Sequence, residues 1–194
     1  MQNLKSAITS IITLYQANLE LFKLFFEGAF DKKPTKSKID KYLKYRPSDE
    51  MLSKFKEFCL TFWKPFSKEI NAISEYLKIA ENPASGFRGK SFGGNLLFRP
   101  VGFLPFVKAS ISIHKRNAVS FDKILKRFNN VNFNINSVPW HGVVWNEVQN
   151  KMIMNSSTVT QLLLMYMFDN TTLTESEKKK TKRRICFEDI ISRR

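Results

Sequence analysis

Residues 49–80 read DEMLSKFKEFCLTFWKPFSKEINAISEYLKIA, and this stretch decides the fold class. Leu52, Phe55, Cys59, Phe62, Phe66, Ile70, Ile73 and Leu77 recur at steps of three and four residues. That is one face of a 3.6-residue period, the pattern of an amphipathic helix that turns its apolar stripe to a core. Pro47 precedes the stretch, and Ser48 or Asp49 is suited to accept a backbone N–H bond at the helix start. Pro65 lies inside. Proline removes a helical hydrogen bond and clashes with the preceding turn, so a kink or break is expected there.

Toward the N-terminus the same period returns. Leu4, Ile8, Ile11, Ile12, Tyr15, Leu19, Phe22 and Phe26 form one stripe, and Gly28 marks its end. Two such helices, 1–28 and 49–80, are expected to pack as an antiparallel pair through their phenylalanine-rich faces. Between them, residues 31–38 are polar, contain Pro34 and read as a loop, with a short helix around Ile39–Lys44.

Toward the C-terminus the chain changes character. Residues 81–95 hold four of the seven glycines and read as a loop, followed by a short strand at Leu96–Phe98. Pro100 starts a helix through about Lys115. Ser120 caps another that carries Phe121, Ile124, Leu125 and Phe128. Asn129–Asn136 reads as loop. Val143–Trp145 and Lys151–Ile153 read as two short strands around a polar turn. Ser156 or Ser157 then caps a helix with Val159, Leu162, Leu163, Tyr166 and Met167. The expectation is a mainly α domain over residues 1–172 with a short two-stranded β element, and a basic C-terminal tail over 173–194.

The chain has 194 residues and a formal net charge of +15. The excess is distributed: residues 1–80 carry 14 basic and 9 acidic groups, 81–172 carry 10 and 4, and 173–194 carry 8 and 4. A distributed positive field attracts polyanions, of which nucleic acid is the commonest in a cytoplasm. The competing explanation is a generally basic, Lys-, Asn-, Ile- and Phe-rich composition of the kind an AT-rich genome produces. No run of 18 apolar residues is present, which excludes a membrane-spanning helix. The two cysteines, Cys59 and Cys186, form neither a disulfide framework nor a metal-ligand spacing, so a reducing cytoplasm is the default location.

Gly89-Lys90-Ser91 invites a phosphate-loop reading, but the first glycine of a Walker A loop is replaced by Ala84 and the strand–loop–helix setting is missing. A weaker reading keeps Arg88 and Lys90 as anion contacts, with Phe87 and Phe92 stacking on bases; against it stands a plain loop whose phenylalanines tuck into the core. Trp140 and Trp145 read as core anchors. His141 and His114 lack companion carboxylates or thiols and read as structural. No nucleophile elbow, zinc-protease motif or conspicuous carboxylate pair is present. The expectation is therefore no catalytic residue, no metal and no cofactor. The sharpest charge feature is Lys178-Lys179-Lys180-Thr181-Lys182-Arg183-Arg184, a block that contacts phosphates without reading sequence. Together with Arg88, Lys90, Arg116 and Arg127, the six cations of this block make up the candidate nucleic-acid-binding set.

Gly93-Gly94-Asn95-Leu96-Leu97-Phe98-Arg99-Pro100-Val101-Gly102, then Pro139-Trp140-His141-Gly142-Val143-Val144-Trp145-Asn146, Lys151-Met152-Ile153 and Leu162-Leu163-Leu164-Met165-Tyr166, resembles the C-terminal region of DGQHR-domain proteins. That group includes DndB-like proteins of bacterial DNA phosphorothioation systems. The family's Asp-Gly-Gln-His-Arg string is missing from this sequence, so the role of that signature does not carry over. The resemblance implies a DNA-modification or defence setting, with DNA or a modification enzyme as partner. The first expectation is a non-catalytic DNA-binding or regulatory module, with DNA favoured over RNA. The alternative is an interaction subunit whose aromatic helix faces dock on a separate protein that carries the missing N-terminal half, or on a partner enzyme.

Overall fold

The computed structural model describes residues 7–79, 84–89, 93–146, 148–149, 151–153 and 155–182, with only the backbone of Lys182. The protein is mainly α-helical. The helices are α1 (Ile11–Phe30), α2 (Lys36–Lys44), α3 (Asp49–Glu69), α4 (Asn71–Lys78), α5 (Ala84–Arg88), α6 (Pro100–Asn117), α7 (Phe121–Phe128), α8 (Ser157–Phe168) and α9 (Glu175–Lys182). Strands β1 (Trp145–Asn146) and β2 (Lys151–Met152) pair antiparallel, Trp145 opposite Met152 and Asn146 opposite Lys151. Among the described residues no helix is long and apolar enough to cross a membrane.

The centre of the fold is α6, which packs against α1, α7 and α8. It buries Phe103, Phe106, Val107, Ala109 and Ile113. Gly102 makes the close approach to the Leu96–Phe98 segment possible, since a Cβ there would collide with Leu96. That segment is a 3-10 turn and not the expected strand, with all three side chains buried. Its strand-like pairing lies just before it, where Asn95 bridges Asn134 through bonds from Leu96 N to Phe133 O and from Ile135 N to Gly94 O.

α7 follows its pattern closely. Phe121, Ile124, Leu125 and Phe128 are all buried, each worth roughly 1.5–3 kcal/mol relative to exposure. α8 buries Val159, Thr160, Leu162 to Met165 and Phe168, so nearly its whole circumference is inside. Tyr166 and Met167, expected on its inner face, are only partly buried.

The first helix departs from expectation. It begins at Ile11, where Ser10 accepts the Thr13 N–H at 3.1 Å. Its buried residues are Thr13, Ala17, Leu21 and Phe26, while Ile11 and Ile12 are 77% and 69% exposed. The inward face is thus a line of two small residues followed by two large ones, and α6 packs against this helix. Contact with α3 runs along a second line, where Trp63 donates to Asn18 at 2.9 Å and Phe22 meets Phe55 edge-on at 5.3 Å. That order makes the two helices antiparallel, as expected. Leu4 lies outside the described residues.

α3 is capped by Ser48, which accepts the Met51 N–H. It continues through Pro65 without a break, because Phe62 and Phe66 on either side are anchored in the core. The break comes at Ile70 instead, and the freed N–H of Asn71 bonds to Asn129 Oδ1 at 3.1 Å. A side chain 58 residues away in sequence therefore stabilises this helix end.

Residues 173–182 are not a loose tail. Leu173 is 4% exposed and Thr181 is fully buried, and α9 packs on α8. Arg116 holds Glu177 through two N–H···O bonds of 2.8 and 2.9 Å, and also donates to Thr172 O. Cutting the chain after Leu173 removes this packed structure, so that deletion is expected to lower stability.

The Glu177 carboxyl is held down to about 2, chiefly by the Arg116 hydrogen bond, with help from Thr174 and against the cost of burial. An unfolded glutamate near 4.5 binds a proton more readily, so this contact stabilises the fold above about 4.5. The contribution is lost as pH falls toward 2. Urea midpoints of the wild type and Glu177→Gln should therefore differ at pH 6, and the difference should shrink steadily as pH falls from about 4.5 toward 2. Equal midpoints at pH 6 would show that the Arg116–Glu177 contact does not stabilise the fold.

Candidate nucleic-acid interface

The structure commits several of the expected phosphate contacts to holding the fold together. Arg88 donates from Nε to Phe98 O at 3.0 Å and from Nη2 to Ala7 O and Ile8 O, tying the start of the chain to the loop before α6. Arg99 closes the same loop with bonds to Arg88 O and Gly93 O. Burial first, and then the neighbouring Arg88 charge, holds the Arg99 guanidinium below its usual range. Arg116 is committed to Glu177 and Thr172. A guanidinium fixed on carbonyls or a carboxylate reaches a phosphate only at the cost of those bonds, so at Arg88 and Arg116 a nucleic-acid contact competes with bonds that hold the fold.

Arg127 is exposed at its edge but lies over the Phe168 ring at 4.6 Å. Lys178 pairs with Glu175 at 2.8 Å. Lys179 and Lys180 are exposed on α9. Lys90, Arg183 and Arg184 lie outside the described residues, as does the side chain of Lys182. α5 touches the 3-10 turn and α9 packs on α8, so the two basic stretches named from sequence sit on separate elements.

The aromatic residues of the same loop resolve in favour of the core. Phe87 stacks on Phe98 at 4.5 Å with rings nearly parallel, and so serves packing. Phe92 lies outside the described residues. Residues 84–88 form a short helix where a loop was expected. Trp140 is fully buried and donates to Asn132 O, and Trp145 is 4% exposed. His114 bonds Val119 O through Nδ1 and stacks on Phe121, a structural role. Burial pushes the Cys59 thiol up to about 11, which leaves little thiolate near neutral pH.

The asparagine-rich segment 129–136 lines a groove of about 360 Å³ with Asn71 and Asn95. Its amides serve the backbone. Oδ1 of Asn95, Asn132 and Asn134 each accepts an N–H two residues on, and Asn129 accepts that of Asn71. Among the described residues no group of three or more His, Cys, Asp or Glu is placed to hold a metal ion.

A stronger basic surface lies where no single motif pointed. Lys32, Lys33, Lys36, Lys38, Lys41, Lys44 and Arg46 fall within fifteen residues and are all exposed. They surround α2, which Thr35 caps by accepting the Lys38 N–H. α2 buries no residue. It is held to the body by Tyr42, whose ring meets Phe22 at 5.4 Å and Phe26 at 5.7 Å.

Between the end of α1 and α2 lies a groove of about 350 Å³, lined by Phe26 and Phe30 on one side and by Lys38, Lys41, Tyr42 and Tyr45 on the other, with Arg46. Lys38 Nζ sits 5.4 Å from the centre of the Phe26 ring. Among the described residues no carboxylate lines the groove. Arg46 pairs with Asp49 at 2.6 Å, on the open surface. The signal was present in the sequence as lysines interleaved with Phe30, Tyr42 and Tyr45. It is dispersed over a loop and a short helix, and only the fold gathers it.

Comparison with known proteins found no match: no protein-family model, no curated protein and no solved structure matches this chain.

Proposed function

We propose that this protein is a non-catalytic nucleic-acid-binding module, with DNA as its first target, acting as a binding or regulatory part of a bacterial DNA-modification or restriction system. The observation that carries the binding reading is the α2 surface, seven exposed cations between Lys32 and Arg46, of which Lys38, Lys41 and Arg46 line a groove that no described carboxylate lines. Cations on one face neutralise successive phosphates and release condensed counterions, and this supplies affinity without base recognition. The exposed Lys179 and Lys180 on α9 add charge. The DNA-modification setting is supported by the residue resemblance at 93–102 and 139–146.

The test is fluorescence anisotropy of labelled duplex DNA over a salt series. Binding should weaken log-linearly with salt, with a slope of about −0.9 for each phosphate neutralised. A protein that binds no DNA or RNA at low salt defeats the reading.

A second reading has its own observation. Ile11, Ile12 and Tyr15 are exposed in one row on α1. Exposed apolar rows mark interfaces more often than solvent-facing surface. An interaction subunit that docks on a partner enzyme through this row stands next if nucleic-acid binding fails.

A further inference from the structure

We infer that the groove between α1 and α2 seats unpaired bases, so that the ligand of this surface is single-stranded nucleic acid in preference to duplex. The inference rests on the nucleic-acid reading above and specifies its ligand. Phosphate contact alone requires cations and nothing else. This groove adds rings: Phe30 is 44% exposed and Tyr45 is 61% exposed, on opposite walls. Tyr45 caps the end of α2, which buries no residue, and carries Lys44 Nζ 5.9 Å from its ring centre. Phe30 packs one part of its ring on Phe26 at 4.4 Å and leaves the rest to solvent. Large apolar rings left in water gain nothing for folding. Set among Lys38, Lys41 and Arg46, they form a stacking platform beside a phosphate track.

A duplex keeps its bases stacked inside and offers such rings no face, whereas a single strand presents one at every residue. The Arg46–Asp49 pair is exposed on both sides, 77% and 86%, so a phosphate displaces Asp49 from Arg46 at little cost. Stacking is tolerant of base identity, so oligothymidine and oligouridine are both ligands on this chemistry, and separate titrations rank the DNA and RNA sources.

The experiment compares labelled oligothymidine, oligouridine and a duplex of equal length at one low salt concentration and over a salt series. It uses the wild type, Phe30→Ala/Tyr45→Ala and Lys38→Gln/Lys41→Gln. Both rings are exposed, and circular dichroism is used to check that each variant is folded. The expected result is tighter binding of a single strand than of duplex, and a loss of roughly ten- to a hundred-fold for the aromatic variant on single strands. Its salt slope should stay unchanged, while the lysine variant flattens the slope on both ligands. Duplex binding as tight as single-strand binding, or an aromatic variant that binds like wild type, overturns the base-seating groove and leaves the phosphate reading standing. An acidic peptide that competes as well as an oligonucleotide of equal charge also overturns it. If no variant and no wild type binds any nucleic acid, it is the nucleic-acid reading itself that has failed.

Discussion

Phe62→Ala is expected to cost about 3–5 kcal/mol of unfolding free energy. Phe62 is fully buried between α3 and α7. Its ring meets Phe121 of α7 edge-on at 5.2 Å, stacks on Phe66 at 5.9 Å and packs against Trp63 at 4.9 Å. Phe66 in turn contacts Phe103 and Phe106 of α6. Truncation removes the transfer energy of the ring and leaves a cavity walled by rigid aromatics, which collapse poorly into it. Domains are stable by only about 5–15 kcal/mol, so the variant should unfold at a much lower urea midpoint or fail to fold. Phe30→Ala is the comparison, expected to cost clearly less than Phe62→Ala, because Phe30 is 44% exposed although its ring packs on Phe26 at 4.4 Å. Similar midpoints for Phe62→Ala and wild type would show that α3, α6 and α7 do not share this core.

The largest functional effect is expected from the α2 surface. Replacing Lys32, Lys33, Lys36, Lys38, Lys41 and Lys44 together by glutamine leaves helix propensity nearly unchanged, and all six are exposed. Every phosphate that is no longer neutralised takes about 0.9 off the slope on duplex, or about 0.7 on a single strand. If about three phosphates are engaged in the wild type, the slope flattens by roughly two to three units and low-salt affinity falls in step. The comparison is Lys178, Lys179 and Lys180 replaced by glutamine in the same way. If that triple variant flattens the slope and the α2 variant does not, the binding surface is on α9.

These two variants also separate what periodicity reveals from what it hides. Phe62 belongs to the stripe that defines α3, and its burial follows from a three- and four-residue recurrence. The four inward residues of α7, the pairing of β1 with β2 and the cap at Ser48 were legible for the same reason. Each depends on residues close in sequence. The candidate site was legible only as charge. The clearest run, Lys178 to Arg184, drew attention because it is contiguous, whereas the α2 cations are spread across a loop and a helix. Arg88 and Arg116 looked available because a sequence shows a guanidinium but not the carbonyls it will meet.

The sequence by itself determined the helical class, the positions of most helices and the sign of the surface charge. Backbone propensity, capping and apolar period act over a few residues, and the summed charge needs no fold at all. Only the tertiary structure decided which face of α1 turns inward. An apolar stripe states how much surface must leave water, but Thr13, Ala17, Leu21 and Phe26 take the inner side, where the small Thr13 and Ala17 leave room for a packed neighbour and α6 is in contact. It also decided that the helix breaks at Ile70 and not at Pro65, since the anchor for the break is Asn129. The tertiary structure decided the fate of the cations too. Ala7 lies 81 residues from Arg88 and Glu177 lies 61 from Arg116, and no local pattern reports a partner that far along the chain.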